Sequence, residues 1–283
     1  MRGSCFATAR WSKSISTPTA RYIHLTASQH GKRVQANGGA KNYVIVMPDS
    51  DIAKTVDGVM NAAFGCAGER CMGGSSVLTV GNRGRHLMSD LAAAAKNLRV
   101  GRTDGEAQPD MGALITAAHR DRVIGLLESG VQAGARLVAD GRGVRVPDAP
   151  DGFYLGATIV EDVRPEMSLM REEVFGPVLN VLHMDDLEGA IALANQSSFG
   201  NGASIFANSG RAAREFKHRV RAGMIGINIG VPASLAMSPF SGWNDSFFGD
   251  LHIQGREAIW FYTHQKVTTT RWLGEGVGDV WRT

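Results

Sequence analysis

The chain carries, at residues 43–51, the stretch Tyr43-Val44-Ile45-Val46-Met47-Pro48-Asp49-Ser50-Asp51. Its first five residues are a continuous apolar run, which is typical of a strand buried on both faces. The next four supply turn and helix-capping chemistry, and a helix is predicted to follow through about residue 64. This strand, turn and helix form the basic unit of an α/β fold.

The same alternation extends outward from this unit. Further strands are predicted at 32–35, 76–80, 178–183, 203–207 and 223–228, and helices at 17–30, 85–97, 117–133, 187–195 and 210–220. Alternating strands and helices predict an α/β domain with an open, largely parallel sheet. The stretches 141–156 and 232–243 are predicted loops. The β-branched segment 261–270 is a predicted strand that pairs with a partner subunit.

The composition is that of a soluble globular protein. The 283 residues are 43% hydrophobic and 20% charged, with a formal net charge of +3. This small charge argues against nucleic-acid binding through bulk electrostatics, and no apolar run is long enough to cross a membrane. A small-molecule ligand remains the expected partner.

The first 48 residues contain seven basic side chains and no acidic one. Such a bias is typical of a mitochondrial transit peptide, and equally of an unrelated leader with a chance bias. The chain has three cysteines, Cys5, Cys66 and Cys71, with no disulfide framework or CxxC metal site, which favours a reducing compartment and no bound metal. We therefore expect a bacterial cytoplasm or a mitochondrial matrix.

Cys71 is the strongest candidate for a catalytic nucleophile in the sequence. It follows a glycine-rich bend, and Arg70 lies directly before it. A nucleophilic cysteine needs an exposed sulfur and a local positive potential that lowers its pKa, and a loop after a helix supplies both. The alternative, on composition alone, is a small buried hydrophobic residue.

Three motifs, in order along the chain, resemble the aldehyde dehydrogenase superfamily. Residues 37–41 (Asn-Gly-Gly-Ala-Lys) resemble its Glu-Leu-Gly-Gly-Lys segment, 68–72 (Gly-Glu-Arg-Cys-Met) its active-site cysteine motif, and 171–177 its Glu-Glu-Ile-Phe-Gly-Pro segment. The stretches 31–42, 239–252 and 261–263 are similar to the CoA-acylating methylmalonate-semialdehyde dehydrogenase branch. The resemblance implies oxidation of methylmalonate or malonate semialdehyde, with NAD and coenzyme A, to propionyl-CoA or acetyl-CoA through a Cys71 thioester and loss of CO₂.

Asn37 departs from the superfamily pattern, because a glutamate usually stands there as general base for the water that hydrolyses the thioester. The spacing of 34 positions to Cys71 matches the superfamily. An amide cannot take that proton, so we expect the thioester to persist until the thiol of coenzyme A attacks it. The alternative is that Asn37 only caps a strand end.

The resemblance implies roles for four further residues. Arg70 lowers the pKa of Cys71 or holds the substrate carboxylate, unless it is a solvated or salt-bridging arginine. Phe240 belongs to the glycine- and aromatic-rich stretch after Pro232, whose composition is typical of a substrate-lining loop. Glu173 holds the nicotinamide ribose and Phe175 packs beside the ring, with a charged turn and a core phenylalanine as alternatives. Ser16 meets the cofactor pyrophosphate at a helix start. Ile15 stands where the family has glycine, a place where the backbone would approach closely.

The resemblance also implies a domain division. Residues 1–13 are an unmatched leader, 14–40 a remnant of the NAD-binding domain, 41–247 the catalytic domain and 248–283 an oligomerisation segment. Most of the family's NAD-binding domain has no counterpart in the sequence. We therefore expect either a shortened member of the family, which is a homo-oligomer elsewhere, or a non-catalytic fragment that assembles with an intact subunit. A third possibility is a cofactor-independent esterase that uses Cys71.

Overall fold

A seven-stranded sheet forms the centre of the molecule. A computed structural model describes residues 18–106 and 108–271. In sheet order the strands are β4 (Arg136–Ala139), β5 (Thr158–Glu161), β6 (Val178–Met184), β3 (Gly74–Val80), β2 (Asn42–Val46), β8 (Gly202–Phe206) and β9 (Met224–Ile227). All neighbours are parallel except β4 and β5. The predicted α/β fold with a largely parallel sheet is confirmed.

Helices cover both faces of this sheet. They are α1 (Pro18–Gln29), α2 (Ile52–Phe64), α3 (Gly84–Asn97), α4 (Ala117–Gln132), α5 (Ser168–Arg171), α6 (Leu187–Asn195), α7 (Gly210–Arg219) and α8 (Gly255–Tyr262). Four of them begin at a side chain that accepts a hydrogen bond from the first turn: Asp51, Thr116, Asp186 and Ser209. These caps explain why the predicted helix starts agree closely with the structure.

The apolar run of β2 contributes to two cores. Tyr43 and Ile45 belong to one buried cluster, and Val44 and Val46 belong to another. Because successive side chains of a strand point to opposite faces, the two clusters lie on the two sides of the sheet. This is why the run is continuously apolar rather than alternating.

Two short strand pairs lie outside the large sheet. β1 (Ala36–Asn37) pairs with β11 (Phe247–Phe248), and β7 (Phe199–Gly200) pairs with β10 (Trp243–Asn244). The strand predicted at 32–35 is wrong, since pairing begins only at residue 36. Just before residue 36 a side chain, not the main chain, makes the hydrogen bonds to the segment after β11. The Gln35 amide donates to the main-chain carbonyls of residues 251 and 252.

The strand predicted at 261–270 is also wrong. Helix α8 continues to Tyr262, and residues 263–271 adopt no regular secondary structure. A strand needs a neighbour for its backbone hydrogen bonds, and no described part of the chain pairs with this segment, in which Val267 is 90% exposed. Pairing with a partner subunit stays a prediction. No helix within the described residues is long and apolar enough to cross a bilayer.

Candidate active site

Cys71 follows a strained turn between α2 and β3. After Phe64 the chain enters a 3₁₀ turn, Gly65–Gly68, in which Cys66 and Ala67 both have φ of 53° and Gly68 has φ of 71°. Residues other than glycine rarely adopt this left-handed conformation, and such strain is typical of functional sites. The turn leaves Cys71 exposed, as a nucleophile requires.

The site occupies the amino-terminal edge of the parallel sheet. Cys71 precedes β3, Asn42 opens β2, Asn201 precedes β8 and Glu173 precedes β6. Because the amino ends of neighbouring parallel strands lie side by side, four stretches distant in sequence meet at this edge.

Two buried amides hold the main chain of Cys71. The carbonyl oxygen of Cys71 accepts one hydrogen bond from Asn42 Nδ2 and one from Asn201 Nδ2, each at 2.9 Å. Asn42 Nδ2 also donates to the carbonyl of Gly73 at 2.9 Å. Sequence reasoning missed both asparagines, because neither is near Cys71 in the chain.

The environment of the Cys71 thiol has opposing effects. Desolvation raises its pKa, while the main-chain N–H groups of Cys71 and Met72 lower it; Glu173 raises it further and Arg70 lowers it. Desolvation is the largest of these effects, so on balance the pKa of the Cys71 thiol lies above its usual range. Ionisation of the Cys71 thiol therefore depends on the hydrogen-bond donors and charges around it.

Arg70 is turned toward helix α2. Its Nη2 donates to the main-chain carbonyl of Asn61 and lies 3.3 Å from the Asn61 Oδ1. Its Nε is buried and has no hydrogen-bond partner among the described residues. Within the same residues Arg70 makes no ion pair, so the salt-bridge alternative finds no support there. Its charge is the smallest of the effects on the pKa of Cys71 and acts to lower it, and the role of Arg70 at the site stays a prediction.

Glu173 and Phe175 lie on the segment that leads into β6. Glu173 Oε1 accepts a hydrogen bond from the Ala40 N–H at 2.9 Å. Burial raises the pKa of Glu173 to about 7, against the opposing effects of the Ala40 N–H, Lys41 and Arg122. Phe175 has φ of 54°. The structure therefore brings Glu173 close enough to Cys71 to influence its ionisation.

Helix α4 fixes this segment from the other side. The Arg122 guanidinium donates to the carbonyls of Glu173 at 3.0 Å and Val174 at 3.1 Å. His119 Nε2 lies 2.6 Å from the carbonyl oxygen of Phe175, and its ring meets the Phe175 ring edge-on at 6.2 Å. These contacts, which sequence reasoning also missed, hold the backbone of the predicted cofactor residues in place.

Asn37 lies in β1, opposite Phe247, and is exposed. Its amide makes no hydrogen bond within the described residues, so the strand-cap alternative finds no support in the hydrogen bonds. The segment that follows it joins the site, since Ala40 contacts Glu173 and Asn42 contacts Cys71. Gly38 packs so tightly there that a Cβ would lie 2.0 Å from the Asp245 carbonyl oxygen.

The other predicted site residues are farther from these contacts or outside the structure. Phe240 is half-buried, and its N–H donates to the carbonyl of Ile253 at 2.8 Å, in the loop after β9. Ser16 and the neighbouring Ile15 lie outside the described residues. Their predicted contact with a pyrophosphate stays a prediction.

The residues present fit one part of a dinucleotide. The half-buried Glu173 carboxylate can accept a hydrogen bond from a ribose hydroxyl. A cavity of about 20 Å³ beside it, lined by residues that include Ala40, Arg70 and Phe175, has room for about one water molecule. A nicotinamide ring does not enter this cavity, so only the ribose contact is supported by the described residues.

Comparison with known proteins decides the family. Residues 14–268 match the aldehyde dehydrogenase family. The chain belongs to the aldehyde dehydrogenase family. It is 46% identical over 259 residues to malonate-semialdehyde dehydrogenase 1 of Oceanobacillus iheyensis, covering 91% of this chain and 53% of that protein. It is 47% identical to malonate-semialdehyde dehydrogenase 2 of Shouchella clausii, with 91% and 52% covered.

Solved structures of this aldehyde dehydrogenase family agree. The methylmalonate-semialdehyde dehydrogenase of Oceanimonas doudoroffii superposes with a TM-score of 0.89 at 45% identity, covering 92% of this chain and 54% of that one. A methylmalonate-semialdehyde dehydrogenase structure from Sinorhizobium meliloti, complexed with NAD, gives 0.89 at 40% identity, with 93% and 54% covered. The predicted family is confirmed, and the relatives named here are malonate- and methylmalonate-semialdehyde dehydrogenases; CoA acylation stays a prediction. The chain spans about half the length of the curated relatives it matches.

Lys41, in the aldehyde dehydrogenase motif at 37–41, is a buried lysine. It is 3% exposed, and its Nζ donates to the main-chain carbonyls of Leu169 and Glu172, which fixes the segment before Glu173. Burial lowers the pKa of Lys41 to about 7, although Glu173 and Glu172 raise it.

We expect Lys41→Met to destabilise the fold by roughly 1–3 kcal/mol, because two buried carbonyls lose their donor. Between pH 7 and 10 the unfolded chain holds a proton on Lys41 that the folded chain has largely lost, so the contribution of Lys41 to stability increases with pH. Denaturant unfolding of both proteins across this range measures the difference, which should widen toward high pH. A difference in unfolding free energy that stays constant with pH would contradict the lowered pKa of Lys41.

Proposed function

We propose that the chain acts as a CoA-acylating malonate- and methylmalonate-semialdehyde dehydrogenase in which Cys71 is the nucleophile. The observation that carries the proposal is an exposed cysteine after a strained turn, held by two buried amides beside Glu173. The names of the relatives supply the substrate class. Because the chain spans about half of those relatives, its own activity rests on experiment.

The reaction begins at Cys71. Its thiolate attacks the aldehyde carbon, and the main-chain N–H of Cys71 donates to the oxygen that becomes negatively charged. Bound NAD would supply the hydride acceptor that oxidation of this carbon requires. Glu173 would hold the nicotinamide ribose of this cofactor, while the packing of Phe175 beside the ring stays a prediction from the resemblance. Arg70 would hold the substrate carboxylate, whose charge complements the guanidinium, and Phe240 would line the substrate channel.

The C–C bond to the β-carboxylate of the thioester then breaks and releases CO₂, and the α-carbon takes up a proton from solvent. The acetyl or propionyl thioester that results persists until a second nucleophile attacks it. Asn37 cannot take a proton from water, so hydrolysis is slow. The sulfur of coenzyme A attacks the thioester carbonyl, the Cys71 thiolate leaves, and acetyl-CoA or propionyl-CoA departs. A thiol is partly ionised near neutral pH and needs less help from a base than water does.

The experiment is NADH formation from malonate or methylmalonate semialdehyde by the full chain, with and without coenzyme A, beside its Cys71→Ala variant. We expect turnover that needs coenzyme A and is lost in the variant. No NADH from folded protein, but Cys71-dependent ester hydrolysis, would replace the proposal with the esterase. No activity of either kind, with co-purification of a full-length relative, would favour the assembly partner.

Asn37→Glu is expected to change the fate of the acyl group. A carboxylate at this position supplies the missing general base, so hydrolysis of the propionyl-enzyme should rise on the order of tenfold or more. Release of free propionate without coenzyme A measures the effect. Asn37→Gln is the matched control, because it has the length of glutamate without its basicity. Equal hydrolysis rates in the two variants would contradict the role given to Asn37.

A further inference from the structure

Asn42 and Asn201 form a single hydrogen-bonded arrangement around the nucleophile turn. Both are 4% exposed, and both donate to the Cys71 carbonyl. Asn42 Oδ1 accepts the Gly202 N–H at 3.0 Å, which ties the start of β2 to the residue after Asn201. Asn201 Nδ2 also lies 3.1 Å from the sulfur of Met72. Neither amide can rotate without losing several of these contacts.

The carbonyl they hold belongs to the same peptide unit as the N–H of Met72. In a planar trans peptide the C=O and N–H point in opposite directions, and the described residues contain no cis peptide bond. Fixing the carbonyl therefore fixes the direction of the N–H. Two donors on one carbonyl also polarise the peptide, which makes its N–H a stronger donor.

We propose that Asn42 and Asn201 are positioning residues that hold the Cys71–Met72 peptide with its N–H directed at the Cys71 sulfur, and so stabilise the thiolate. This inference rests on the proposed role of Cys71 as nucleophile. The N–H of Met72 is among the groups that lower the pKa of Cys71, together with the N–H of Cys71 and with Arg70. Glu173 is the ionisable group that opposes them.

The experiment measures alkylation of each cysteine by iodoacetamide as a function of pH in the full chain. Trypsin cleaves after Arg70, so Cys66 and Cys71 fall on different peptides and mass spectrometry resolves their rates. In Asn201→Ala we expect the rate at Cys71 near neutral pH to fall roughly threefold to tenfold and its pH profile to move to higher pH. The rate at the fully ionised plateau should be unchanged.

Cys66 in the same molecule and Asn195→Ala are the controls. Asn195 also makes two hydrogen bonds to main-chain groups, at 2.9 and 2.7 Å, but at the end of α6. Asn195→Ala should leave both cysteine profiles unchanged. An unshifted Cys71 profile in Asn201→Ala, or an equal change at Cys66, would overturn the inference. Asn42→Ala should shift the profile in the same direction, and if that variant does not fold, Asn201→Ala alone decides.

The assay needs no aldehyde, NAD or coenzyme A. Absence of NADH formation would therefore contradict the proposed function and leave the alkylation result valid. Conversely, NADH formation together with an alkylation profile of Cys71 that is unchanged in Asn201→Ala would support the proposed function and contradict the positioning role of Asn201.

Discussion

Cys71→Ala is expected to reduce acyl transfer from p-nitrophenyl propionate to the uncatalysed background, a loss of at least about a thousandfold. The unsubstituted chain should release a burst of p-nitrophenol as the propionyl group moves to Cys71. Slow hydrolysis should follow, because Asn37 does not activate water. Stopped-flow absorbance measures both phases.

Cys66→Ser is the matched control for this prediction. Cys66 is also exposed and lies five positions earlier, within the 3₁₀ turn, but among the described hydrogen bonds neither buried amide bonds to it. The burst should keep its amplitude in this variant. A burst that survives in Cys71→Ala and disappears in Cys66→Ser would show that Cys66 is the nucleophile, and would contradict the role given to Cys71.

Gly68→Ala is expected to destabilise the fold by at least about 3 kcal/mol and to remove the Cys71 burst. Gly68 has φ of 71°, and a Cβ there would lie 2.1 Å from the carbonyl oxygen of Gly176. That oxygen belongs to the backbone of the segment after Phe175, which cannot move aside without disturbing the site. Thermal or denaturant unfolding gives the change in stability.

Gly125→Ala is the matched control, at a glycine where a Cβ has free space. Gly125 is exposed inside α4, and a Cβ there would meet nothing within 4 Å. Because alanine favours the helix, this variant should gain up to about 1 kcal/mol. Equal effects of the two substitutions would contradict the strained turn before Cys71.

Most of the fold was predictable because its elements have strong local patterns. The helix 187–195 matches its predicted bounds, and the buried run at 43–47 decides the position of β2. Strand β5, with only four residues directly after a Gly- and Pro-rich loop, carries too short a pattern to be identified. The segment 261–270 failed for the opposite reason, since a β-branched pattern does not form a strand without a neighbour.

The site was predictable only where residues are adjacent in sequence or belong to a motif. Cys71, Arg70 and Glu173 are identified from such stretches, and the structure brings all three together. Asn42 and Asn201 lie 29 and 130 positions from Cys71, so no local pattern connects them to it. Their role depends on the lateral order of strands in the sheet, which a single sequence does not specify.

The central claim is that Cys71 holds an acyl group and passes it to coenzyme A in preference to water. The most direct measurement is mass spectrometry of the tryptic peptide 71–83 after the chain reacts with p-nitrophenyl propionate, followed by incubation in buffer with or without coenzyme A. We predict a propionyl group on this peptide that persists in buffer and leaves as propionyl-CoA when coenzyme A is added. No label at Cys71, or loss to water as fast as loss to coenzyme A, would contradict the claim.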